Sequence, residues 1–178
     1  MSKKKLVTEM GRIDRDAFAQ SQKLPLVVVL DNVRSLHNVG SVFRTSDAFR
    51  VECIMLCGIT ATPPSAEIHK TALGAEDVVD WKYYESTMGA VAELRSQGYR
   101  IYSIELCQGS IALQDFVTAP GERYAVVLGN EVKGVQQDVV DASDGAIEIP
   151  QFGTKHSLNV SVTAGMVIWE FAKKLGLV

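Results

Sequence analysis

The chain has 178 residues, of which 47% are hydrophobic and 22% are charged. This length and apolar content predict a globular protein with a substantial core and exclude a largely disordered chain. The net charge of −3 argues against a protein that coats nucleic acid non-specifically, because that role draws on clustered positive charge. A local basic patch remains compatible with it.

The most basic part of the sequence is its amino-terminal region, which holds Lys3, Lys4, Lys5, Arg12 and Arg15. We expect residues 1–20 to form a basic arm or helix and residues 21–178 to form a single domain. The arm is either a solvated tail or part of a binding surface. No apolar run is long enough for a secretory signal or a membrane span, so we expect a cytoplasmic protein without a membrane partner.

Short, nearly continuous apolar runs predict five strands, at 26–31, 53–58, 100–106, 124–130 and 146–150, with a further short strand within 78–83. Helical patterns fill the intervals, at about 38–49, 65–73, 87–97 and 135–141, and a last helix follows. Strands that alternate with helices predict an α/β fold with a parallel sheet flanked by helices.

The last helix has an unusually apolar pattern. One set of apolar residues recurs at the helical period: Val160, Ala164, Val167, Ile168, Phe171 and Leu175. A second flank carries Val162, Met166 and Trp169, so we expect the helix to be buried on nearly every side. Polar side chains at Ser157, Asn159 and Ser161 could accept hydrogen bonds from the first-turn N–H groups, and an acceptor-rich ligand could satisfy the rest. A well-capped core helix without a ligand is the alternative.

The cysteines and histidines give no metal-binding pattern. Cys53, Cys57 and Cys107 contain no C-x-x-C pair and are typical of small buried hydrophobic residues. The three histidines are far apart and lack zinc spacing, so we expect no catalytic metal.

Three loops rich in Gly, Asn, Ser and charged residues follow predicted strands, near 31–44, 129–134 and 150–159. In a parallel sheet, ligands bind beyond the carboxyl ends of the strands, so these loops predict one composite site. The sequence has neither G-x-G-x-x-G after the first strand nor G-x-x-x-x-G-K-[ST]. Dinucleotide-binding and nucleoside-triphosphate-binding functions, such as a nucleotide-dependent oxidoreductase, therefore lose their main support.

The first loop opens a helix with Asn38, Gly40 and Arg44. Arg44 lies four residues after Gly40, so we expect the missing side chain to leave the guanidinium room to reach a phosphate. A surface arginine in an exposed salt bridge is the alternative. In the second loop, Gly129 permits a backbone conformation or a close approach of a ligand that a Cβ would prevent. Glu131 either caps a helix or holds the guanidinium of Arg44 in a bidentate pair.

Together the loops resemble a known family. The patterns are N-x-G-x-x-x-R at 38–44, L-G-N-E-x-x-G at 128–134 and I-P-x-x-G-x-x-x-S-L-N-V-S-V at 149–162. They resemble the three motifs of the SpoU family of RNA ribose methyltransferases, within the SPOUT class. The resemblance runs from about residue 26 to 171, in the same order, and the third motif is the most specific.

The resemblance implies a 2′-O-methyltransferase that uses S-adenosylmethionine, works as a homodimer and has a carboxyl-terminal trefoil knot. It implies RNA as the substrate, with tRNA expected before rRNA; a catalytically silent RNA-binding or assembly protein is the alternative. By position, the implied catalytic residues are Arg44 as the principal one, with Asn38, Glu131, Ser157 and Asn159. The implied cofactor-binding residues are Ile104, Gly129, Ile149, Ser157 and Leu158.

Overall fold

A computed structural model describes residues 3–178, so Met1 and Ser2 of the predicted arm lie outside the described residues. Within this range the chain forms six α-helices and seven strands. The helices are α1 (Arg15–Gln20), α2 (Leu36–Ala48), α3 (Ala66–Ala72), α4 (Thr87–Ser96), α5 (Gln137–Ala142) and α6 (Val160–Lys174). The strands are β1 (Leu24–Asp31), β2 (Val51–Cys57), β3 (Trp81–Tyr84), β4 (Arg100–Ile104), β5 (Ile111–Ala112), β6 (Tyr124–Leu128) and β7 (Gly145–Glu148).

The seven strands formed by residues 3–178 make one sheet in the order β3-β2-β1-β6-β4-β7-β5. Each neighbouring pair runs parallel. This confirms the predicted α/β class with a parallel sheet flanked by helices. The sequence did not predict β5, which has two residues and pairs with β7 at the edge of the sheet. The trefoil knot stays a prediction.

Helices cover both faces of the sheet, which explains why the inner strands β1 and β6 are nearly continuous apolar runs. Alternate residues of β1 enter different cores: Leu26, Val28 and Leu30 pack with α2, α3 and α6, whereas Val27 and Val29 pack with α4 and α5. None of the helices within residues 3–178 has the length and apolar character needed to cross a bilayer.

The basic amino-terminal region is joined to the sheet layer by α1. Phe18 is buried in the core beside α2, and Arg15 forms an ion pair of 3.2 Å with Asp77. Residues 3–6 and 8–14 are exposed. The division at residue 20 into an arm and a domain stays a prediction.

The carboxyl group of Asp31, at the end of β1, is fully buried. Its oxygens accept hydrogen bonds from the hydroxyl of Thr87 at 2.6 Å, the amide of Asn32 at 2.8 Å and the N–H of Gln136 at 2.8 Å. A buried polar group without partners costs several kcal/mol, about the net stability of a small domain. Asp31 therefore holds the starts of α4 and α5 against the end of β1.

Asn32 extends this network to two more loops. It adopts a left-handed backbone conformation with φ of 56°. Its side-chain oxygen accepts a hydrogen bond from the N–H of Ile59, and its carbonyl accepts one from the side chain of Asn130 at 2.7 Å. Asp31 and Asn32 thus connect the loops after four strands of the sheet.

Gly40 has a different role from the predicted one. It is buried where α2 crosses α3, and a Cβ at this position would overlap the carbonyl of Ile68 and the hydroxyl of Thr71. Arg44 is exposed. The missing side chain therefore allows two helices to pack closely and does not open space for the guanidinium, so that prediction was wrong.

We predict that Gly40→Ala lowers the free energy of unfolding by about 1–3 kcal/mol, because the new methyl group meets backbone atoms of α3 that cannot move aside alone. The matched control is Gly89→Ala in α4, where a Cβ would make only ordinary contacts with Ser86 and Tyr84. Alanine favours a helix over glycine by up to about 1 kcal/mol, so the control should be neutral or stabilising. Urea denaturation of both variants checks this; equal stabilities would contradict it.

Candidate functional site

The carboxyl ends of β4, β6 and β7 open into a cavity of about 470 Å³, a size typical of small-molecule sites. Its walls come from the loops after these strands and from the first turns of α5 and α6. All the residues implied as cofactor-binding line it: Ile104, Gly129, Ile149, Ser157 and Leu158. They come together because the ends of parallel strands meet at one edge of a sheet.

Gly129 is required by a close approach of the chain to itself. A Cβ there would overlap the backbone of Gly134 and Val135. The loop between them is closed by paired backbone hydrogen bonds between Asn130 and Gly134, of 3.0 and 2.9 Å. The sequence predicted a special backbone conformation or a close approach of a ligand at Gly129, whereas the group that approaches is the protein's own backbone. The folded loop forms one wall of the cavity.

Glu131 projects from this loop to the start of α2. Its carboxylate accepts hydrogen bonds from the N–H groups of Arg34 and Ser35, both at 3.0 Å, and from the side-chain amide of Asn38 at 3.1 Å. Partial burial acts to raise the pKa of Glu131, but these hydrogen bonds outweigh it, and the pKa lies below its ordinary value of 4.5. The helix dipole adds to the preference for a negative charge here.

Asn38 and Asn159 continue the chain of hydrogen bonds. The side-chain amide of Asn159 donates to the side-chain oxygen of Asn38 at 3.1 Å. The oxygen of the Asn159 side chain caps α6, accepting from the N–H groups of Ser161 at 2.8 Å and Val162 at 3.3 Å. Glu131, Asn38 and Asn159 therefore join the starts of α2 and α6 beside the cavity. Ser157 lines the cavity two residues before Asn159.

The structure does not bring Arg44 into this cluster. Within residues 3–178 its side chain makes neither an ion pair nor a hydrogen bond, and it is absent from the cavity lining. Arg44 lies six residues after Asn38, which corresponds to about 9 Å along the helix and about 120° around it. The predicted bidentate pair with Glu131 is wrong, because backbone N–H groups occupy that carboxylate. Ser35 caps α2 with its own side chain, and Glu131 instead holds the backbone of Arg34 and Ser35 just before the helix.

Two further carboxylates in the cavity lining were not predicted as site residues. Glu105 accepts hydrogen bonds from the N–H groups of Leu106 and Val135, both at 3.0 Å, and Glu148 accepts one from the hydroxyl of Ser110 at 2.6 Å. In the sequence both residues belong to strand-like runs, and their position at the strand ends was the signal available. With Glu131 they make the lining rich in negative charge, which favours a cationic ligand.

Of the three cysteines predicted to be buried, Cys57 is buried, whereas Cys53 and Cys107 are only partly buried. Burial raises the pKa of the Cys53 and Cys57 thiols to about 12, so both remain protonated and unreactive near neutral pH. Cys107 lies in the cavity lining, and partial burial also raises the pKa of its thiol. Among the described residues no group of three or more His, Cys, Asp or Glu side chains is arranged to hold a metal ion.

We predict that Glu131→Gln lowers the free energy of unfolding by about 1–3 kcal/mol near pH 7, because a glutamine amide cannot accept all the hydrogen bonds from the start of α2. The folded-state pKa of Glu131 lies below 4.5. The stabilisation by the native carboxylate is therefore full above that pH and is lost as the pH falls through the lower value.

Urea denaturation near pH 7 and near pH 3 would measure this difference between Glu131→Gln and the native chain. Glu85→Gln is the matched control, because Glu85 is exposed, and surface substitutions of this kind usually change stability by less than about 0.5 kcal/mol. A stability difference for Glu131→Gln that does not shrink in acid would refute the assigned role of the carboxylate.

Comparison with known proteins gives relatives along most of the chain. A curated protein from Nitrosomonas europaea, named 23S rRNA (guanosine-2′-O-)-methyltransferase RlmB, is 34% identical over 145 residues, which cover 82% of this chain and 55% of the relative. A protein from Aquifex aeolicus, named tRNA (guanosine(18)-2′-O)-methyltransferase, is 30% identical over 158 residues, which cover 88% of this chain and 72% of the relative. The chain thus spans between about half and three quarters of these relatives.

A solved structure has the same fold. It is an rRNA methyltransferase from Sinorhizobium meliloti with AdoMet bound, and it matches with a TM-score of 0.79 and 26% identity over 90% of this chain and 60% of the other. The sequence model of the SpoU rRNA Methylase family matches residues 25–169. The matched region contains β1 to β7 and most of α6, and the chain belongs to the SpoU rRNA methylase family.

Proposed function

We propose that the chain transfers a methyl group from S-adenosylmethionine to the 2′-hydroxyl of a ribose in structured RNA. The observation that carries this proposal is the convergence of the loops after β4, β6 and β7 on one cavity. The first of the three predicted loops lies beside that cavity, joined to it through Glu131 and Asn38. The relatives named as 2′-O-methyltransferases support the reaction type. We also propose that the protein is cytoplasmic, because tRNA and rRNA are both present in the cytoplasm.

The cavity suits S-adenosylmethionine on physical grounds. Apolar side chains such as Leu128 and Ile147 line it together with backbone groups of the loops, a surface suited to a nucleoside. Glu105 and Glu148 supply negative charge for the positively charged end of such a ligand. When bound, the cofactor supplies an electrophilic methyl group on a sulfonium.

The polar cluster beside the cavity would hold the ribose in position. Glu131 fixes the amide of Asn38, and Asn38 fixes that of Asn159. These side chains cannot rotate without losing hydrogen bonds, so the cluster is organised before the RNA arrives. Preorganised groups contribute most to a displacement reaction, in which the reacting atoms must be aligned and shielded from water.

Arg44 would act through its charge. A guanidinium keeps its proton at neutral pH and is a poor base. We therefore propose that Arg44 binds the phosphate next to the target ribose and lowers the pKa of the 2′-hydroxyl, whose proton leaves to a phosphate oxygen or to solvent. Its exposed position, without an ion pair among the described residues, leaves the guanidinium available to RNA.

The direct test incubates the protein with methyl-labelled S-adenosylmethionine and with total RNA from cells that lack this protein. Label in a 2′-O-methylated nucleotide, mapped to tRNA or rRNA, is the expected result. Calorimetry with S-adenosylmethionine alone distinguishes a methyltransferase from a catalytically silent RNA-binding protein. RNA binding without cofactor binding or label would instead establish the silent RNA-binding protein.

We predict that Arg44→Ala lowers kcat by about 100- to 1,000-fold, the usual effect of removing one hydrogen-bond donor that stabilises the transition state. Arg44→Lys should retain part of the activity, since it keeps the charge but loses the planar, bidentate geometry. Affinity for S-adenosylmethionine should stay unchanged in both variants, because Arg44 does not line the cavity.

Arg95→Ala is the control for Arg44. Arg95 is an exposed arginine in the last turn of α4, at the opposite edge of the sheet from the cavity, and its replacement should leave turnover unchanged. Near-normal turnover of Arg44→Ala would remove Arg44 from the mechanism.

We further propose that the chain forms a homodimer through the second flank of α6. Val162, Met166 and Trp169 were expected to be buried, but in the single chain they are 48%, 42% and 48% exposed. Trp169 packs edge-on against Phe49, the residue that follows α2, with ring centroids 5.7 Å apart. An apolar helix flank of this kind is typical of an interface between subunits. A dimer across it would bring α2, which carries Arg44, close to the second subunit.

We predict that Met166→Glu converts the dimer into a monomer, because the interface would have to bury a charge on each subunit without a partner. Sedimentation velocity measures the change. Val117→Glu is the matched control, since Val117 is an apolar side chain that is more exposed than Met166. Its neighbours Phe116 and Thr118 contact Phe171 and Lys174 near the end of α6, and none of these residues belongs to the second flank. A native chain that sediments as a monomer would contradict the proposed dimer.

A further inference from the structure

Phe152 is the most exposed large hydrophobic residue in the described part of the chain, at 97%. It lies in the loop between β7 and α6, next to Gln151, which lines the cavity. Burying a phenylalanine side chain in a fold contributes about 1.5–3 kcal/mol, and this position contributes none of it. The contacts within the chain therefore give no reason for an aromatic residue here.

The space around the Phe152 loop is open. A Cβ on the following residue, Gly153, would meet nothing within 4 Å, and residues 151–159 are all exposed. The side chain thus stands free at the rim of the cavity. A flat surface of the size of a nucleobase could lie against the ring without displacing protein atoms.

The side chains near the Phe152 loop indicate which kind of molecule could bind there. Lys155 and His156 follow Phe152, and Lys133 lies in the cavity lining contributed by the loop after β6. None of these three side chains forms an ion pair with any of residues 3–178. The carboxylates Glu105 and Glu148 belong to the lining of the cavity. Unpaired lysines and an exposed aromatic ring in the loops around one cavity are typical of surfaces that bind single-stranded nucleic acid.

We propose that Phe152 is a stacking surface for an unpaired base at the methylated site of the RNA, with Lys155 and Lys133 contacting the neighbouring phosphates. This inference rests on the proposed function. For a ribose hydroxyl to reach the cavity, its nucleotide has to leave the regular RNA stack, and proteins commonly hold such bases against aromatic rings. Phe152 replaces the lost stacking, so it would favour targets in loops over targets in continuous duplexes.

The test compares Phe152→Ala, Phe152→Leu and Phe152→Tyr. RNA affinity is measured by fluorescence anisotropy with S-adenosylhomocysteine present, so that turnover is not needed. The probe is the RNA labelled in the mapping experiment or, if none is labelled, unmodified bulk tRNA. Phe152→Ala and Phe152→Leu should weaken binding by about 5- to 100-fold, the value of one stacked base. Phe152→Tyr, which keeps the ring, should stay within about twofold of the native affinity.

Other outcomes would overturn the stacking role. If the Phe152→Leu variant binds RNA with native affinity, residue 152 makes a general apolar contact and not a stacking contact. A fall in calorimetric affinity for S-adenosylmethionine in Phe152→Ala would make the residue part of the cofactor site, and dissociation of the dimer would make it an interface residue. The control Val117→Ala changes another exposed apolar side chain and should leave RNA affinity unchanged. Failure of the native chain to bind either RNA also overturns the inference.

The same measurements separate this inference from the proposed reaction. If the native chain methylates RNA and all three variants bind it equally well, the stacking role fails and the activity stands. If the native chain binds RNA in a Phe152-dependent manner but transfers no methyl group, the activity fails and the stacking role stands.

Discussion

The site depends on the buried carboxyl group at the end of β1. Asp31 accepts hydrogen bonds from the loop after its own strand, from the start of α4 and from the residue before α5. Asn32 carries the network to the loop after β6, which contains Glu131. Asp31 is fully buried, so losing the hydrogen bond from Gln136 would leave one of its carboxylate oxygens without a partner, and the network therefore favours one arrangement of the loops. The geometry beside the cavity is thus a consequence of a polar network in the interior.

Strand register and hydrogen bonds together determine the geometry at the carboxyl ends of the strands. The apolar strands fix where the loops begin, because their register sets the position of each strand end. Hydrogen bonds then fix where the loops go: Glu131 attaches the loop after β6 to the start of α2, and Asn159 attaches the start of α6 to Asn38. The hydrophobic core is non-directional and could not specify these side-chain positions alone. The cavity therefore depends on both the strand register and the hydrogen bonds of the loops.

The sequence predicted the fold class well because apolar runs alternated with helical patterns, and it predicted the cavity because strand ends converge in any parallel sheet. It failed where the outcome depended on distances between remote segments. Gly40 was assigned to Arg44, four residues away, whereas its contact is α3. For Glu131 the sequence left two roles open, a helix cap or a pair with Arg44, and the backbone N–H groups that it binds are displayed by no sequence pattern. β5 was missed because two residues carry no periodicity.

Asn159 performs two tasks with one side chain: its oxygen caps α6 while its nitrogen donates to Asn38. Aspartate would serve the first task and fail the second, since a carboxylate has no N–H group to give. Serine could also cap the helix but lacks the amide nitrogen. Few replacements can therefore be tolerated at this position. A substitution of Asn159 would need a compensating substitution of Asn38 to keep the two helices joined.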